Sequence, residues 1–250
     1  MIIGLLVIGD EILSGDRQDA NTDFFISLLK GKNLSLDISI AVSDRTEDIV
    51  NAFIFLSSNC KFLITSGGLG LTPDDVTLSA ISKATNFRLV QSLAKEAVVR
   101  ENLANYPGSK YNKYIDKLSL GLENSRPIPN SCGIAAGENF IFEGCNVFVL
   151  PGVPNEFRSM LTDYVLQKLP KGKHKTVISY FTTAKESSII DFLEMAERTY
   201  HVKTSSYPPV LGEKFLQVKF EGGRSELEKV SSLFEKFVSE SGFVIEKKET

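Results

Sequence analysis

The 250-residue chain is poor in the side chains that most often carry metal or nucleophilic chemistry. It has two histidines, His174 and His201, both late in the sequence. That argues against a histidine-based site in the first two-thirds. Its three cysteines, Cys60, Cys132 and Cys145, are scattered without metal-type spacing. Each sits in or beside an apolar run and reads as a small buried apolar residue. Their odd number and dispersal point to a reducing compartment. No apolar run approaches the ~20 residues of a membrane span. The apolar start, residues 1–8, has no basic leader and runs at once into Asp10 and Glu11, the reverse of secretory flanks. The expectation is a cytoplasmic protein with no membrane partner.

A basic surplus is also missing. Lysine plus arginine is 28 against 31 for aspartate plus glutamate, a net charge of -3. Duplex-binding proteins carry the opposite balance, so no nucleic-acid partner is expected. Two phosphate fingerprints fail. Gly68-Leu69-Gly70 would need a third glycine where Pro73 stands, and no Gly-Lys-Ser/Thr occurs. Neither a nicotinamide dehydrogenase nor a P-loop NTPase is supported. Hydrophobic residues at 42% and charged residues at 24% are ordinary for a soluble globular chain.

What is present is an alternation of strand and helix patterns. Residues 2–8 and 62–64 read as buried parallel strands, and residues 34–42 alternate as a half-buried strand. Helical spacing covers 22–31, 47–58, 73–86 and 92–105. Residues 140–150 read as a hairpin, followed by a helix from Pro154 to about Leu169. The fold class is therefore α/β, a doubly wound, mostly parallel sheet. Residues 170–175 form a basic hinge containing Lys171, Lys173, His174 and Lys175, and a domain boundary is placed there. A second, small α+β domain follows, with strands at 176–181 and 214–220 and helices at 186–199 and 225–239. His174 and His201 read as linker and surface residues. Lys247, Lys248 and Glu249 read as a frayed tail.

In open α/β sheets ligands bind at the carboxyl ends of the strands. Three segments fall there: residues 9–15, 65–75 and 150–156. Gly67, Gly68 and Gly70 can turn their amides outward as a nest for phosphate oxygens, next to a helix N-terminus. Thr72-Pro73-Asp74-Asp75 has two readings. Thr72 as N-cap, Pro73 at the first helical position and Asp75 closing a capping box explain it structurally. Carboxylates beside a phosphate loop also make sense when a divalent cation lies between. Both hold together if Asp75 caps and Asp74 faces a metal. Asp10 and Glu11 are either loop-start caps or site elements. Asn21 is an N-cap region residue or a ligand contact. Glu156 in a first helical turn is explained by the helix dipole or by the site.

These segments resemble the molybdopterin-binding-like family, which includes the MoaB and MogA proteins, the amino-terminal part of CinA, and a domain of animal FAD synthases. The resemblance rests on residues 8–15, on Gln18-Asp19-Ala20-Asn21-Thr22, on the run from Gly67 to Thr77, and on Leu150 to Glu156. It covers about residues 1–169 and is strongest to CinA and the FAD-synthase domain. It implies a MogA-like catalytic domain over 1–169, followed by a small KH-like domain over 175–245. It implies hydrolysis of a dinucleotide pyrophosphate bond, FAD to FMN and AMP or ADP-ribose to AMP and ribose phosphate. A divalent metal ion (Mg, Mn or Co), with potassium as an accessory, is implied as cofactor, and a small-molecule nucleotide as substrate. Relatives are homo-oligomers, so a dimer or trimer is expected. By motif position Asp10, Asp74, Asp75 and Glu156 are the expected catalytic residues, with Asp74 and Asp75 on the metal. Glu11, Asn21, Gly67, Gly68, Gly70, Thr72, Thr77 and Gly152 are the expected substrate contacts. The stretch Asn130-Ser131-Cys132-Gly133-Ile134-Ala135-Ala136-Gly137 departs from the family's Asn-Pro-x-Gly-Thr-Ala-Pro-Gly. That bears on substrate preference. A non-catalytic molybdopterin- or nucleotide-binding regulatory module and a molybdopterin adenylyltransferase remain alternative readings of the same loops.

Overall fold

The protein, seen in a computed structural model, is described over residues 2–106, 110–172, 176–210 and 213–249. It divides into two compact units, Met1–Gly172 and Lys173–Thr250. His174 and the hinge lysines Lys173 and Lys175 lie outside the described residues. Among the described residues no helix is long and apolar enough to cross a membrane.

The first unit begins with β1 (Ile3–Ile8), a single turn α1 (Asp10–Leu13), α2 (Ala20–Gly31), β2 (Ile38–Val42), α3 (Thr46–Asn59) and β3 (Phe62–Ser66). It continues through α4 (Thr77–Thr85), β4 (Leu89–Gln91), α5 (Leu93–Ala104), a 3-10 turn (Lys110–Tyr114), α6 (Ile115–Leu118) and β5 (Leu120–Leu122). Strands β6 (Arg126–Ile128), β7 (Gly137–Phe142) and β8 (Cys145–Leu150) follow. Helix α7 (Pro154–Met160) then passes through a π turn (Leu161–Val165) into α8 (Leu166–Lys168).

Six strands form one sheet in the order β2-β1-β3-β8-β7-β6, while β4 and β5 pair separately. From β2 to β8 the pairing is parallel, and β7 and β6 close the edge antiparallel. Every residue of β1 is buried, and the reason is packing on both faces. Leu6 and Ile8 pack with Phe53 and Leu56 of α3 and Ile81 of α4. Ile3, Leu5 and Val7 pack on the other face with Phe25 and Leu29 of α2 and Phe157 of α7. A strand buried on both faces has no polar alternation, which is why its sequence is one apolar run. The β7–β8 hairpin turns at Glu143 (φ 48) and Gly144 (φ 82), the two left-handed residues that a tight hairpin loop requires.

Two local expectations are corrected in this unit. Helix α4 starts at Thr77, not at 73, so Thr72 is no N-cap and Pro73 does not open the helix. The strand expected over 34–42 is regular only from Ile38; Leu34 and Leu36 instead pack against the α2 face of the core.

The second unit is built from β9 (Thr176–Thr182), α9 (Glu186–Tyr200), β10 (Lys203–Tyr207), β11 (Leu216–Gly222), α10 (Arg224–Glu240) and β12 (Ile245–Glu249). Its sheet order is β10-β11-β9-β12, antiparallel throughout. This βαββαβ order is the split arrangement of ferredoxin-like domains. The tail expected to fray is instead β12, paired with β9 from Ile245 to Glu249. Hydrogen bonding to a neighbouring strand orders a charged segment that its own side chains could not. His201 is exposed and left-handed (φ 53) at the C-cap of α9. The core of this unit is aromatic: Tyr180, Phe192, Phe220 and Phe234 meet mainly edge to face.

One buried ion pair joins α5 to the sheet of the first unit. Lys95 Nζ lies 2.5 Å from Glu138 Oε1, with side chains 4% and 0% exposed. Lys95 also donates to Leu120 O at 2.8 Å, and Glu138 Oε2 accepts from Leu122 N at 2.9 Å. Removing one partner strands a dry charge, a loss of about 3–5 kcal/mol. Lys95→Met should therefore lower the urea-unfolding free energy by about that amount. Adding Glu138→Gln, which removes the orphan charge yet still accepts from Leu122, should restore part of it. Equal stability of the single and double variants would contradict this account.

Candidate functional site

Strands β1, β3 and β8 are adjacent and parallel, so their carboxyl ends deliver three loops side by side. The close approach of these loops depends on glycine. Gly67 has φ +120, and a Cβ there would sit 2.1 Å from Ile8 O. Gly68 has φ +66, and its Cβ would meet Thr77 Oγ1 at 2.1 Å. Gly67 N donates to Leu150 O at 3.1 Å, joining the second loop to the third. The first turn of α2 adds a stitch: Asn21 Nδ2 donates to Ser66 Oγ and to Gly152 O, both at 2.9 Å. A carbonyl only accepts, so the amide orientation is set and Asn21 Oδ1 is left buried without a partner among the described residues.

Over this floor opens a cavity of about 670 Å³, well within the range of small-molecule sites. Of the expected residues, Glu11, Asn21, Gly67, Gly68, Gly70, Thr72, Asp74, Asp75, Gly152 and Glu156 line it. Asp10, which is exposed, and Thr77 do not line it. Asp10 contributes its backbone N–H, which donates to Asp44 Oδ2 at 2.9 Å. Thr77 is fully buried, and its hydroxyl donates to Gly67 O at 2.9 Å.

Asp75 bonds within its own loop. Its Oδ1 accepts from Gly70 N at 2.6 Å, and its Oδ2 accepts from Thr72 N at 2.8 Å and from the Thr72 hydroxyl. Those bonds close the loop on itself and hold residues 70–75 out of helix. They also consume part of the expected phosphate nest, since the Gly70 amide is taken by Asp75 and the Gly67 amide by Leu150. Asp74 is exposed. Its carboxyl is held below the usual range, first by the Thr72 hydroxyl and then by its own backbone N–H. One hydroxyl proton cannot serve Asp74 and Asp75 at once, so the two carboxylates compete for it.

Asp44 is the residue that sequence reasoning missed. It follows β2, whose carboxyl end shares the rim with β1, and it lines the cavity. Burial pushes its carboxyl up, and the nearby Asp10, Glu11 and Asp74 push it further, against the Asp10 N–H that favours its charge. Its position after an alternating strand was the available signal. Glu156, in the first turn of α7, is half-buried, and burial raises its carboxyl as well. Asn130, fully buried, donates to Glu156 Oε2 at 2.6 Å and offsets part of that rise. The same Nδ2 donates to Ala135 O at 2.9 Å, and Asn130 Oδ1 accepts from Cys132 N at 3.1 Å. Gly133 packs so closely that its Cβ would fall 2.2 Å from Glu156 Cδ. The stretch that departs from the family pattern is thus the clamp on Glu156, and no spacing rule pointed to Asn130.

The wall carries Glu11, Asp19, Asp44, Asp74, Asp75 and Glu156, against Arg17 as its basic side chain. Among the described residues no three Asp, Glu, His or Cys side chains converge to hold a metal ion by themselves. The acids suit a hard cation only when it is shared with a ligand's phosphates, which is the usual habit of magnesium.

A mostly parallel sheet with this glycine-floored rim defines the class, and comparison with known proteins agrees. The chain belongs to the family described as probable molybdopterin binding domain, whose family model matches residues 4–171. It is 36% identical over 181 residues to a CinA-like protein of Geotalea daltonii, covering 72% of this chain but 43% of that relative. The chain therefore spans less than half the length of that relative. It is also 31% identical over 246 residues to Protein TK1472 of Thermococcus kodakarensis, covering 94% of this chain and 96% of that one. A solved structure, the CinA protein of unknown function from Thermoplasma acidophilum, superposes with TM-score 0.60 at 26% identity. It covers 67% of this chain and 97% of its own.

The raised carboxyl of Asp44 has a consequence for stability. A group whose folded value lies above its unfolded value stabilises below that range and loses the contribution as pH rises through it. Asp44→Asn keeps an acceptor for the Asp10 N–H and removes the crowded charge. Its thermal midpoint should exceed that of the native chain at pH 7, and the gap should close as pH falls toward 3.8, the ordinary value for the group. A pH-independent difference in calorimetric midpoints would contradict the raised Asp44 carboxyl.

Proposed function

We propose that this cavity hydrolyses the pyrophosphate bond of a dinucleotide, FAD to FMN and AMP or ADP-ribose to AMP and ribose phosphate. The observation that carries the reading is that Glu11, Asp44, Asp74 and Glu156 line one cavity over a glycine floor at the rim of parallel strands. Such a wall repels phosphate unless a cation is shared with it, and the upward push on Asp44, from burial first and then from Asp10, Glu11 and Asp74, is one that a cation relieves. Asp44 and Asp74 would hold that cation, with Glu11 on the same wall. A divalent ion bound there supplies charge neutralisation on phosphorus and acidifies water.

The chain's own groups do the rest. The Gly67–Gly68 turn brings backbone close to a phosphate, where no side chain has room. Arg17 faces the same space and offers the cationic contact. Glu156, clamped by Asn130, accepts the proton of the attacking water. Its burial-raised carboxyl makes it a better base than an exposed glutamate. Water adds to one phosphorus, the bridging oxygen leaves with the other phosphate, and two monophosphates result. A second reading, a module that holds a pterin or nucleotide without reacting it, is favoured by the internal commitment of Asp75. The family's description as molybdopterin binding is consistent with it.

Incubating the chain with FAD and ADP-ribose under magnesium, manganese and cobalt, and reading products by mass, separates the two. Monophosphate pairs are expected with at least one ion and should vanish on chelation. Glu156→Gln should lower kcat by ~10²–10⁴-fold with little change in KM. Intact substrate under all three ions, with tight binding retained, would transfer the assignment to the binding module.

A further inference from the structure

Part of the cavity wall comes from outside the six-stranded sheet. Tyr106 follows α5, Tyr111 lies in the 3-10 turn, and Leu118 ends α6, with Leu71 and Ile134 completing an apolar face. Leu118, Leu71 and Ile134 belong to a small hydrophobic cluster of their own around Val99 and Leu103. The two tyrosines remain 40% and 46% exposed although they line a concave site. The Tyr106 hydroxyl donates to Cys132 O at 3.0 Å, which orients the ring and leaves its π face as the surface on offer.

We propose that Tyr106 and Tyr111 form a stacking subsite for the planar heteroaromatic ring of the substrate. The inference rests on the nucleotide reading above and adds which part of the molecule is recognised. Aromatic side chains and nucleobase or flavin-type rings stack offset through their π faces, and every such ring offers one. An apolar, aromatic wall is a poor match to the ribose-phosphate portion, whose polar groups the glycine and carboxylate side of the same cavity serves. The subsite is also tied to the proton acceptor. Tyr106 holds Cys132 O, Cys132 N holds Asn130 Oδ1, and Asn130 Nδ2 holds Glu156. One short loop therefore contacts Tyr106 at one point and the catalytic carboxylate at another.

Calorimetric titration of the full chain with AMP, FMN and ribose 5-phosphate, under one divalent ion, reads the subsite without turnover. At least one of the two ring ligands should bind 10-fold or more tighter than ribose 5-phosphate, and which one does identifies the ring. Tyr106→Ala and Tyr111→Ala should each weaken that ligand by roughly 10- to 100-fold and leave ribose 5-phosphate unchanged. Tyr106→Phe, which keeps the ring face, should retain the preference. Urea curves establish that each variant is folded. Equal affinity for all three ligands, no binding of either ring ligand, or a preference that survives both alanine substitutions overturns the subsite. Ring-dependent binding without any hydrolysis would sink the hydrolase reading alone.

Discussion

The site depends on one steric condition: the turn after β3 must touch the end of β1. Gly67 sits where any Cβ would strike the Ile8 carbonyl, and Gly68 sits against the Thr77 hydroxyl. With those two side chains absent, the loops after β1, β3 and β8 close into a continuous backbone floor, and Asn21 and Thr77 bond it from behind. Both positive φ values are ones that other residues adopt only at a cost. The carboxylates of the cavity gather around a single space because this floor brings their loops together.

The second organising force is electrostatic and works against stability. Glu11, Asp44, Asp74 and Glu156 face one cavity that carries Arg17 as its basic side chain. Asp44 and Glu156 are both pushed toward their neutral forms by burial. Carboxyl groups held this way are characteristic of sites that receive cations or protons, because structure alone gains nothing from crowding them. Asp75 shows the contrasting use of the same residue type, with its oxygens engaged by the loop's own amides. Two adjacent aspartates thus have opposite duties, one facing outward and one closing the loop.

The chain also combines this cavity with a separate βαββαβ unit that has its own aromatic core. The family match ends at residue 171, so the second unit lies outside it. Similarity to the Thermococcus protein runs over 94% of this chain and so includes both units, whereas the CinA-like relative is more than twice as long as the matched segment.

Much of the first unit was legible in the amino-acid order. Apolar runs at residues 2–8 and 62–64 must be buried strands, since nothing else absorbs so many consecutive apolar side chains, and glycines after β3 mark a turn without side-chain room. Local rules went wrong where long-range bonds prevailed. Asp75 holds its loop out of helix, so Thr72 and Pro73 did not start one, and β9 captures a charged tail that reads as frayed. Asn130 carries no local signature, and Asp44 only its place after an alternating strand. Asp44 joins the site because β2 lies beside β1, and Asn130 because a loop folds back onto α7. Sequence determined which segments could serve as floor and wall, because backbone conformation and burial are local demands. Only the tertiary structure decided which carboxylates share one cavity, because that depends on strand order and on contacts between residues far apart in the chain.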